Sequence, residues 1–316
     1  MTLRIAFFGT PEIALPGLRA LINAHGIDVS VVVTNPDRPR GRRGKPVPPA
    51  VKVTASEHGI DVWQPVKPLT IEEPLRALDL DVAAVIAYGA ILPETLLAAT
   101  RHGFVNLHFS LLPRWRGAAP VQHALRAGDS ITGVTAFKLD AGMDTGPIIA
   151  QQTEPIAVTD DAGSLLDRLA GGTTDLFVGA IRSLCAGSEL LPQDHTAATY
   201  APKLTKGDAV IDFSPAAPEV INQIRSVNPV PGARTSFRDR QLKVFRAEVA
   251  SAGWDAEAPA GSIVSDRTDV IGVACGRGAV HLLEVQPEGK RRQQAAEFVR
   301  GYRPQPGERL GTGALP

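Results

Sequence analysis

Residues 3–34 read LRIAFFGTPEIALPGLRALINAHGIDVSVVVT, and their pattern predicts a buried strand, a helix and a second buried strand. The runs LRIAFF and DVSVVVT are almost continuously apolar rather than alternating. Such runs are typical of parallel strands that helices cover on both faces. The alternation continues with strands predicted at 81–87 (DVAAVIA) and 104–108 (FVNLH), and with helices at 13–24, 50–57, 72–78 and 94–99. The first half of the chain is therefore predicted to form an open, mostly parallel α/β sheet of the Rossmann-like class.

The second half of the chain departs from this alternation after residue 130. Two β-like stretches, at 132–139 and 147–155, flank a glycine-containing loop, and a long helix is predicted over 164–186. Beyond residue 206, turn residues separate five short stretches, a pattern typical of a small OB-like β-barrel: 233–237, 241–249, 261–265, 269–274 and 279–285. A helix is expected near 293–300. We expect a first domain at 1–187, a proline-containing linker at 188–206 and an OB-like domain at 207–316.

The composition is that of an ordinary globular protein with no overall charge. Among 316 residues, 33 are basic and 33 acidic, so no global field draws the chain toward nucleic acid or membrane. The two cysteines exclude a disulfide framework and a zinc site built on several cysteines. No apolar run approaches the roughly 18–20 residues that span a bilayer, and no leader precedes Leu3. We expect a cytoplasmic, monomeric protein with no metal and no membrane association.

A glycine turn, Gly9-Thr10-Pro11, follows the first predicted strand. A dinucleotide-binding fold has G-x-G-x-x-G at this place, because the glycines let the backbone approach a pyrophosphate. Only Gly9 matches that pattern, so an NAD-dependent dehydrogenase is disfavoured. We interpret the turn as a tight connection, with Thr10 as the N-cap of the next helix and Pro11 at its first position.

Asn106 and His108 stand two residues apart at the end of a predicted strand, so their side chains leave the same face. Ligands of open α/β sheets bind at the carboxyl ends of the strands. An amide beside an imidazole suits an oxyanion that forms at a carbonyl group, although a lone histidine at a strand end is more often structural. Asp144 lies in a glycine-flanked loop and adds a carboxylate, although aspartate is also a common turn former. Because no serine or cysteine occupies a nucleophile elbow, this set favours direct acyl transfer.

Several segments resemble the folate-dependent formyltransferases. The resemblance is strongest in NLHFSLLPRWRGAAPVQ (106–122) and DAGMDTGPI (140–148), and it extends to FFGTPEIALPGL, TNPDRPRGRRGKP, AYGAILP and TYAPKLTKGDAVIDF. It implies the formyltransferase fold and the transfer of a formyl group from 10-formyltetrahydrofolate to an amine. It also implies that Asn106, His108 and Asp144 are the catalytic set. Phe109 departs from the pattern, since many relatives carry a small residue after the histidine.

The same resemblance implies where the folate lies. The pterin is expected against the backbone at the end of the strand predicted at 81–87 and against the turn after His108. Residues 114–117 (RWRG) are expected to follow this turn as an exposed loop. The residues expected to hold the folate are Ile86, Tyr88, Gly89, Ser110, Leu111, Leu112 and Pro113.

Basic residues cluster locally despite the zero net charge. The proline- and glycine-rich loop 36–49 holds five basic residues against Asp37, and two further clusters, 225–246 and 290–303, lie in the predicted barrel. Such clusters are usually solvated surfaces, but they can also bind phosphates. The loop is similar to one that enters the tRNA acceptor stem in the family, which implies methionyl initiator tRNA as the acceptor. The expected contacts are Arg38, Arg42, Arg43, Lys45, Lys243 and Arg291.

Other hypotheses use the same three polar residues. An enzyme for glycinamide ribonucleotide would be a shorter, single-domain chain, whereas one for an amino-sugar nucleotide often keeps a second domain. The basic loop is therefore the main feature that separates a tRNA enzyme from a sugar-nucleotide enzyme. A formyl-folate hydrolase would use water as its nucleophile. A non-catalytic folate-sensing or RNA-binding module would be expected to have lost one of the three polar residues.

Overall fold

The structure, a computed structural model, describes residues 2–39, 44–251, 257–264, 267 and 269–311. The chain divides into two compact units. The first comprises Met1–Pro120, Ile131–Pro155 and Leu166–Ala201, and the second comprises Val121–Ser130, Ile156–Leu165 and Pro202–Pro316. The limits 1–187, 188–206 and 207–316 remain a prediction. Within the described residues, no helix is both long enough and apolar enough to cross a membrane.

The strands of the first unit are β1 (Leu3–Gly9), β2 (Ile27–Val33), β3 (Arg38–Pro39), β4 (Pro46–Val47), β5 (Asp61–Trp63), β6 (Val82–Ile86), β7 (Phe104–His108), β8 (Ile131–Lys138) and β9 (Ile148–Pro155). The helices up to residue 185 are α1 (Leu15–Asn23), α2 (Ala50–Glu57), α3 (Glu72–Ala77), α4 (Glu94–Leu97), α5 (Pro120–Ala127), α6 (Ala162–Gly172) and α7 (Thr174–Cys185). The predicted strand at 104–108 and the predicted helix at 50–57 are confirmed at both ends.

The main sheet of the first unit has seven strands in the order β5-β2-β1-β6-β7-β8-β9. The first five strands are parallel, and β8 and β9 are antiparallel. The fold class predicted for this part, an open and mostly parallel sheet, is confirmed. The chain proceeds outward from β1 to β2 and β5, then returns to the other side of β1 with β6. This switch in direction opens a crevice at the carboxyl ends of the strands, where such folds bind ligands.

Aromatic side chains fill the core beneath the carboxyl ends of these strands. The Phe8 ring lies 5.3 Å from the Tyr88 ring in an edge-to-face arrangement and 5.2 Å from the Phe104 ring. All three side chains are buried, so they join the carboxyl ends of β1 and β6 to the start of β7. Offset and edge-to-face aromatic pairs add about 0.5–1.5 kcal/mol each beyond their burial.

Two local predictions in this unit are wrong. The helix predicted over 164–186 is two helices, α6 and α7, because the backbone leaves helical geometry at Thr173, whose hydroxyl donates to the carbonyl of Leu169 at 2.6 Å. Gly171 and Gly172 precede this break, and glycine is a poor helix former. Thr10 is not an N-cap either. Its hydroxyl instead donates to the Tyr88 carbonyl at 3.1 Å and accepts a bond from Asn35.

The second unit carries an antiparallel sheet. Its strands are β10 (Ala233–Phe237), β11 (Arg240–Val249), β12 (Ile271–Ala274), β13 (Ala279–Pro287) and β14 (Gln293–Gln294), and its further helices are α8 (Ala217–Ser226) and α9 (Ala295–Tyr302). The order is β10-β11-β13-β12, with β14 paired to β13. The sequence predicts a small OB-like β-barrel here, and the structure shows an antiparallel sheet domain. Its core includes Phe237 and Phe298, with the Phe298 ring stacked on Tyr302 at 4.5 Å.

Two helices were not predicted from the sequence, and one predicted strand forms only isolated bridges. Helix α8 begins with Pro218 in its first turn and buries Ala217, Val220 and Ile224 against the second unit's core. Helix α5 was also not predicted. In the stretch predicted as a strand at 261–265, Ser262 and Ile263 form only isolated bridges, and the last position lies outside the described residues.

Within the second unit, Asp208 connects α5 to the segment that begins at residue 202, and it makes the stability of the protein sensitive to acid. Its carboxylate accepts bonds from the Thr205 hydroxyl and amide, at 2.7 and 2.8 Å, and pairs with Arg126 at 2.7 Å. The Thr205 hydrogen bonds and, to a smaller extent, Arg126 lower the pKa of Asp208 from 3.8 to about 2.

We therefore expect this stabilisation to be complete above pH 3.8 and to disappear as the pH falls through about 2. Asp208→Asn should lower the free energy of unfolding by up to about 2 kcal/mol near neutral pH and by much less near pH 2. Urea unfolding of both proteins across this pH range measures the difference. If the difference in unfolding free energy between the two proteins does not narrow as the pH falls, the assigned stabilising role of Asp208 is contradicted.

Candidate active site

The end of β7 carries the first two polar residues of the candidate site. Asn106 is partly exposed, and His108 is 6% exposed. Both pair with the antiparallel strand β8, Asn106 opposite Phe137 and His108 opposite Thr135. The two-residue spacing places both side chains on one face of the sheet, as predicted.

His108 lies between a carbonyl group and a carboxylate. Its Nε2 is 2.9 Å from the carbonyl oxygen of Trp115, and its Nδ1 is 3.6 Å from Oδ2 of Asp144. Because a carbonyl oxygen only accepts hydrogen bonds, Nε2 must carry a proton. The nitrogen that faces Asp144 is therefore Nδ1, which is the one available for chemistry. The predicted approach of His108 and Asp144 is observed in the structure.

Asp144 is held in an unusual backbone conformation at the tip of the β8–β9 hairpin. Its φ is 54°, in the left-handed region that few non-glycine residues adopt. Its Oδ2 atom accepts a hydrogen bond of 2.8 Å from the backbone amide of Gly117. The same oxygen thus meets the Gly117 amide and faces the imidazole of His108. The carboxylate has a fixed direction rather than the freedom of an ordinary turn aspartate.

Residues 115–117 hold this arrangement, and the expectation that 114–117 form an exposed loop is wrong for Arg116. Arg116 is only 2% exposed. Its amide donates to the Thr199 carbonyl at 2.8 Å, and its carbonyl accepts from the Ala201 amide at 2.7 Å. Part of the stretch predicted as a linker therefore pairs with the loop beside the site. Arginine is usually exposed, and nothing local in the sequence marks this one as buried.

The side-chain amide of Asn106 makes no hydrogen bond to any other group within the described part of the chain. It is thus free to donate to a ligand. An unengaged amide two residues from a positioned imidazole is the arrangement that stabilises negative charge on a carbonyl oxygen. The carboxylate of Asp144 lies beside the imidazole, where it can balance a positive charge on the ring or accept a proton. The site can therefore support attack of a nucleophile on a carbonyl carbon.

Comparisons with known proteins agree with this chemistry. Residues 3–181 match the family model described as formyl transferase, and residues 203–303 match that of the formyl transferase C-terminal domain. The chain belongs to the formyl transferase family. The methionyl-tRNA formyltransferase of Citrifermentans bemidjiense is 46% identical to it over 98% of this chain and 96% of that protein. Other relatives that carry the same name are 42–45% identical.

Solved structures share the fold. An N-formyltransferase from Helicobacter canadensis, solved with folinic acid and dTDP-3-aminofucose, is 19% identical, with a TM-score of 0.68 over 90% of this chain and 100% of that one. HypX from Aquifex aeolicus is 15% identical with a TM-score of 0.66. It matches 98% of this chain, which spans about half (49%) of HypX. At these identities the likeness concerns the fold alone.

The residues predicted to hold a folate differ in how accessible their side chains and backbone are to a ligand. The side chains of Ile86 and Tyr88 are buried, and burial raises the pKa of the Tyr88 hydroxyl. At Gly89, with a φ of 81°, an added Cβ would meet only Asn35, at 3.7 Å. Gly89 therefore leaves open space beside this turn, which fits a flat heterocycle lying against it.

The turn after His108 is more enclosed. Ser110 and Leu112 are buried, and their backbone groups are already bonded: the Ser110 carbonyl and the Leu112 amide to the Thr135 hydroxyl, and the Leu112 carbonyl to Gln151 at 2.9 Å. Leu111 is partly exposed. Folate contacts for Ser110, Leu111, Leu112 and Pro113 remain a prediction.

A crevice of about 530 Å³ lies at the ends of β1 and β2, and the sequence did not reveal what organises it. Thr10, Asn35 and Arg38 are among its lining residues. Asn35 donates from its side-chain amide to the Thr10 hydroxyl at 2.9 Å and to the Tyr88 carbonyl at 2.7 Å. These bonds join the ends of three strands. Only long-range contacts reveal this role, because Asn35 stands alone before a proline in the sequence.

The basic loop begins as a hairpin at the mouth of this crevice. Strand β3 pairs with β4 there, and both Arg38 and Lys45 are exposed. Arg42 and Arg43 lie outside the described residues. Asp37, the loop's only acid, accepts a hydrogen bond from Gln64 and pairs with Lys52 at 2.9 Å, and these contacts lower its pKa. Because Lys52 lies outside the loop, Asp37 does not offset the loop's own positive charge.

Lys243 and Arg291 lie in different settings in the second unit. Lys243 is partly exposed on β11, between Arg234 of β10 and Gln286 of β13. Arg291 is exposed and pairs with Glu297 at 2.9 Å. Arg292, a member of the predicted cluster 290–303 that was not named among the expected contacts, stacks its guanidinium 4.1 Å from the centre of the Phe245 ring. No group of three His, Cys, Asp or Glu side chains suited to a metal occurs among the described residues.

Gly117 should be irreplaceable at the site. Its φ is 115°, and an added Cβ would lie 2.8 Å from the Ala201 carbonyl oxygen. We expect Gly117→Ala to lower the free energy of unfolding by about 1–3 kcal/mol and to move the amide that holds Asp144. Gly187→Ala is the matched control, since Gly187 also has a positive φ but nothing within 4 Å.

Denaturant unfolding measures the loss of stability in each variant. Gly187→Ala reports backbone strain alone, whereas Gly117→Ala reports the same kind of strain together with a steric clash. Equal losses of stability would show that the close approach of Gly117 to Ala201 does not exist in solution.

Proposed function

We propose that this chain transfers the formyl group of 10-formyltetrahydrofolate to the α-amino group of methionyl initiator tRNA, giving N-formylmethionyl-tRNA for translation initiation. The observation that carries the proposal is the free amide of Asn106 beside the His108–Asp144 pair, at the strand ends of a formyl transferase fold. The relatives that match nearly the whole chain carry the name of this activity. We further propose that the protein works as a monomer in the cytoplasm.

The three polar residues divide the work of the reaction. The folate supplies the formyl carbon and, at N10, the leaving group. Asn106 and the Nδ1–H of a protonated His108 donate hydrogen bonds to the formyl oxygen as it gains negative charge. His108 is held for this by its Nε2 bond to Trp115, and Asp144 balances the charge of the ring.

Proton balance assigns Asp144 a second role. One C–N bond forms and one breaks, so the attacking amine loses a proton and the departing nitrogen gains one. The Asp144 carboxylate, fixed by the Gly117 amide, is placed to accept the amine proton and then to pass it to the departing N10. A neutral α-amino group is already a competent nucleophile near neutral pH, since its pKa is about 7.7–8.0. The three residues therefore need to position the amine and to stabilise the charge on the formyl oxygen, and no strong base has to be generated.

The folate is proposed to lie along the open backbone at 86–89, and the tRNA to contact two basic surfaces. One surface is the loop that begins at the β3–β4 hairpin, with Arg38 and Lys45 exposed. The other is the outer face of β11, which carries Lys243 and Phe245, with Arg292 stacked on the Phe245 ring. Aromatic rings interleaved with cations suit bases and phosphates together. Arg42, Arg43 and Arg291 are proposed as further contacts.

Formyl transfer with purified protein tests the proposal directly. We expect transfer to methionyl-tRNA, and none to an amino-sugar nucleotide or to glycinamide ribonucleotide. Asn106→Ala should lower kcat by about 10²–10³, and His108→Ala by at least about 10². Asn23→Ala, which changes an exposed asparagine in α1, is the control and should leave kcat unchanged.

Each other outcome has a distinct meaning. Transfer to a sugar nucleotide would keep the catalytic set and contradict the acceptor. Formate release without an acceptor would indicate a hydrolase. Near-normal turnover in His108→Ala would remove the imidazole from the mechanism.

The basic loop makes a separate prediction about salt. Lys45→Ala should raise KM for tRNA and make the dependence of this KM on salt less steep. With one phosphate contact fewer, tRNA binding releases fewer counterions. KM for the folate should not change. Lys67→Ala removes an equally exposed lysine outside the loop and should leave the salt slope as it is. Identical slopes in both variants would place tRNA recognition elsewhere.

A further inference from the structure

A buried arginine and a buried glutamine lie behind Asp144. Arg116 is 2% exposed and Gln193 is 6% exposed. The guanidinium of Arg116 donates twice to Oε1 of Gln193, from Nε at 3.1 Å and from Nη2 at 2.6 Å. Nη2 also lies 3.0 Å from Nδ1 of His195, which must be unprotonated at that nitrogen because arginine only donates. A buried charge is costly unless it is well paired, so this arrangement needs a reason.

Gln193 bonds directly to the backbone of the loop that carries Asp144, at Asp144 itself and two residues later. Its Nε2 donates to the carbonyl of Asp144 at 2.9 Å and to that of Gly146 at 2.7 Å. Because Arg116 holds the amide oxygen, the amide cannot flip and its nitrogen must face the loop. The glutamine thus fixes two carbonyls of the segment 144–146, whose first residue, Asp144, points its side chain at His108.

The Asp144 loop needs such a restraint. A non-glycine residue in the left-handed region costs about 1–3 kcal/mol and persists only where its surroundings hold it. Gly117 holds the carboxylate, but it does not hold the backbone. Without the glutamine, the loop can relax toward an ordinary conformation, which would swing the carboxylate away from the ring.

We propose that Arg116 and Gln193 are positioning residues for the reaction: Arg116 orients the Gln193 amide, which locks the Asp144 loop in its strained conformation. The proposal rests on the proposed function for its kinetic effects. It predicts a loss in the chemical step rather than in substrate binding, since neither side chain is exposed. A displacement of about 1 Å in a catalytic group is enough to cost roughly 10² in rate.

The second unit offers a matched control. Gln223 is 8% exposed, and its Nε2 likewise donates to two backbone carbonyls, those of Asp208 at 3.3 Å and Val210 at 2.7 Å. Its Oε1 accepts from the amide of Asp212 at 3.0 Å. The two glutamines therefore share burial and bonding pattern, but only Gln193 bonds to the Asp144 loop.

Gln193→Glu is the most informative variant, because a carboxylate keeps the pairing with Arg116 but cannot donate to the two carbonyls. We expect a folded protein with kcat for formyl transfer lowered about 10–100-fold and KM values for both substrates within about threefold. Gln223→Glu should lose stability and keep kcat within about twofold. Arg116→Lys, which keeps the charge but loses the two-pronged donation, should lower kcat less than Gln193→Glu.

Hydrogen exchange of the peptide covering 140–147 gives a readout that does not depend on activity. Exchange there should accelerate in Gln193→Glu and stay unchanged in Gln223→Glu. If kcat and exchange both match the wild type in Gln193→Glu, the positioning role is overturned. If the wild type transfers no formyl group yet exchange accelerates as expected, the proposed function fails and the restraint on the loop stands.

Discussion

The backbone of residues 115–117 is the constraint on which the candidate site depends. The carbonyl of Trp115 fixes the His108 ring, the amide of Gly117 fixes the Asp144 carboxylate, and the Arg116 side chain between them reaches the Asp144 loop through a glutamine. Three successive residues thus hold the groups that must meet. Their own position is set by pairing with 199–201, so the site is built from four segments of the chain, at 106–108, 115–117, 144–146 and 193–201.

This dependence explains which parts of the site could be predicted from the sequence. Asn106 and His108 follow from strand alternation and from the rule that ligands lie at strand ends, both of which are local. Asp144 was grouped with them from its glycine-flanked loop, but its assignment to the catalytic set required the family resemblance, because it lies 36 positions after His108 in the sequence. Arg116 was predicted to be exposed, since the general preference of arginine for the surface was applied without knowledge of its partner, Gln193. The partner itself lay in a stretch predicted as a linker.

The fold shows the same division between local and long-range information. Apolar runs identified the buried parallel strands, and turn residues identified the short antiparallel ones. Helix α8 was missed because a prolyl start and a few polar residues hid its apolar stripe, which becomes clear only against the second unit's core. The long helix over 164–186 was predicted whole because its apolar pattern continues across Thr173, where a side-chain bond to the backbone ends α6.

The turn after β1 shows how one fold class serves a different ligand. In a dinucleotide-binding sheet, glycines leave the backbone bare for a pyrophosphate. Here Gly9 is needed for packing, since an added Cβ would lie 2.6 Å from the Phe7 ring, and the next position is a threonine whose hydroxyl joins Asn35 and the Tyr88 carbonyl. The strand ends are tied together by side chains instead of being left open to phosphates. In the function proposed above, charge recognition falls instead to the basic loop at the crevice mouth, because a chain with no net charge has to bind a highly charged substrate through a local basic surface.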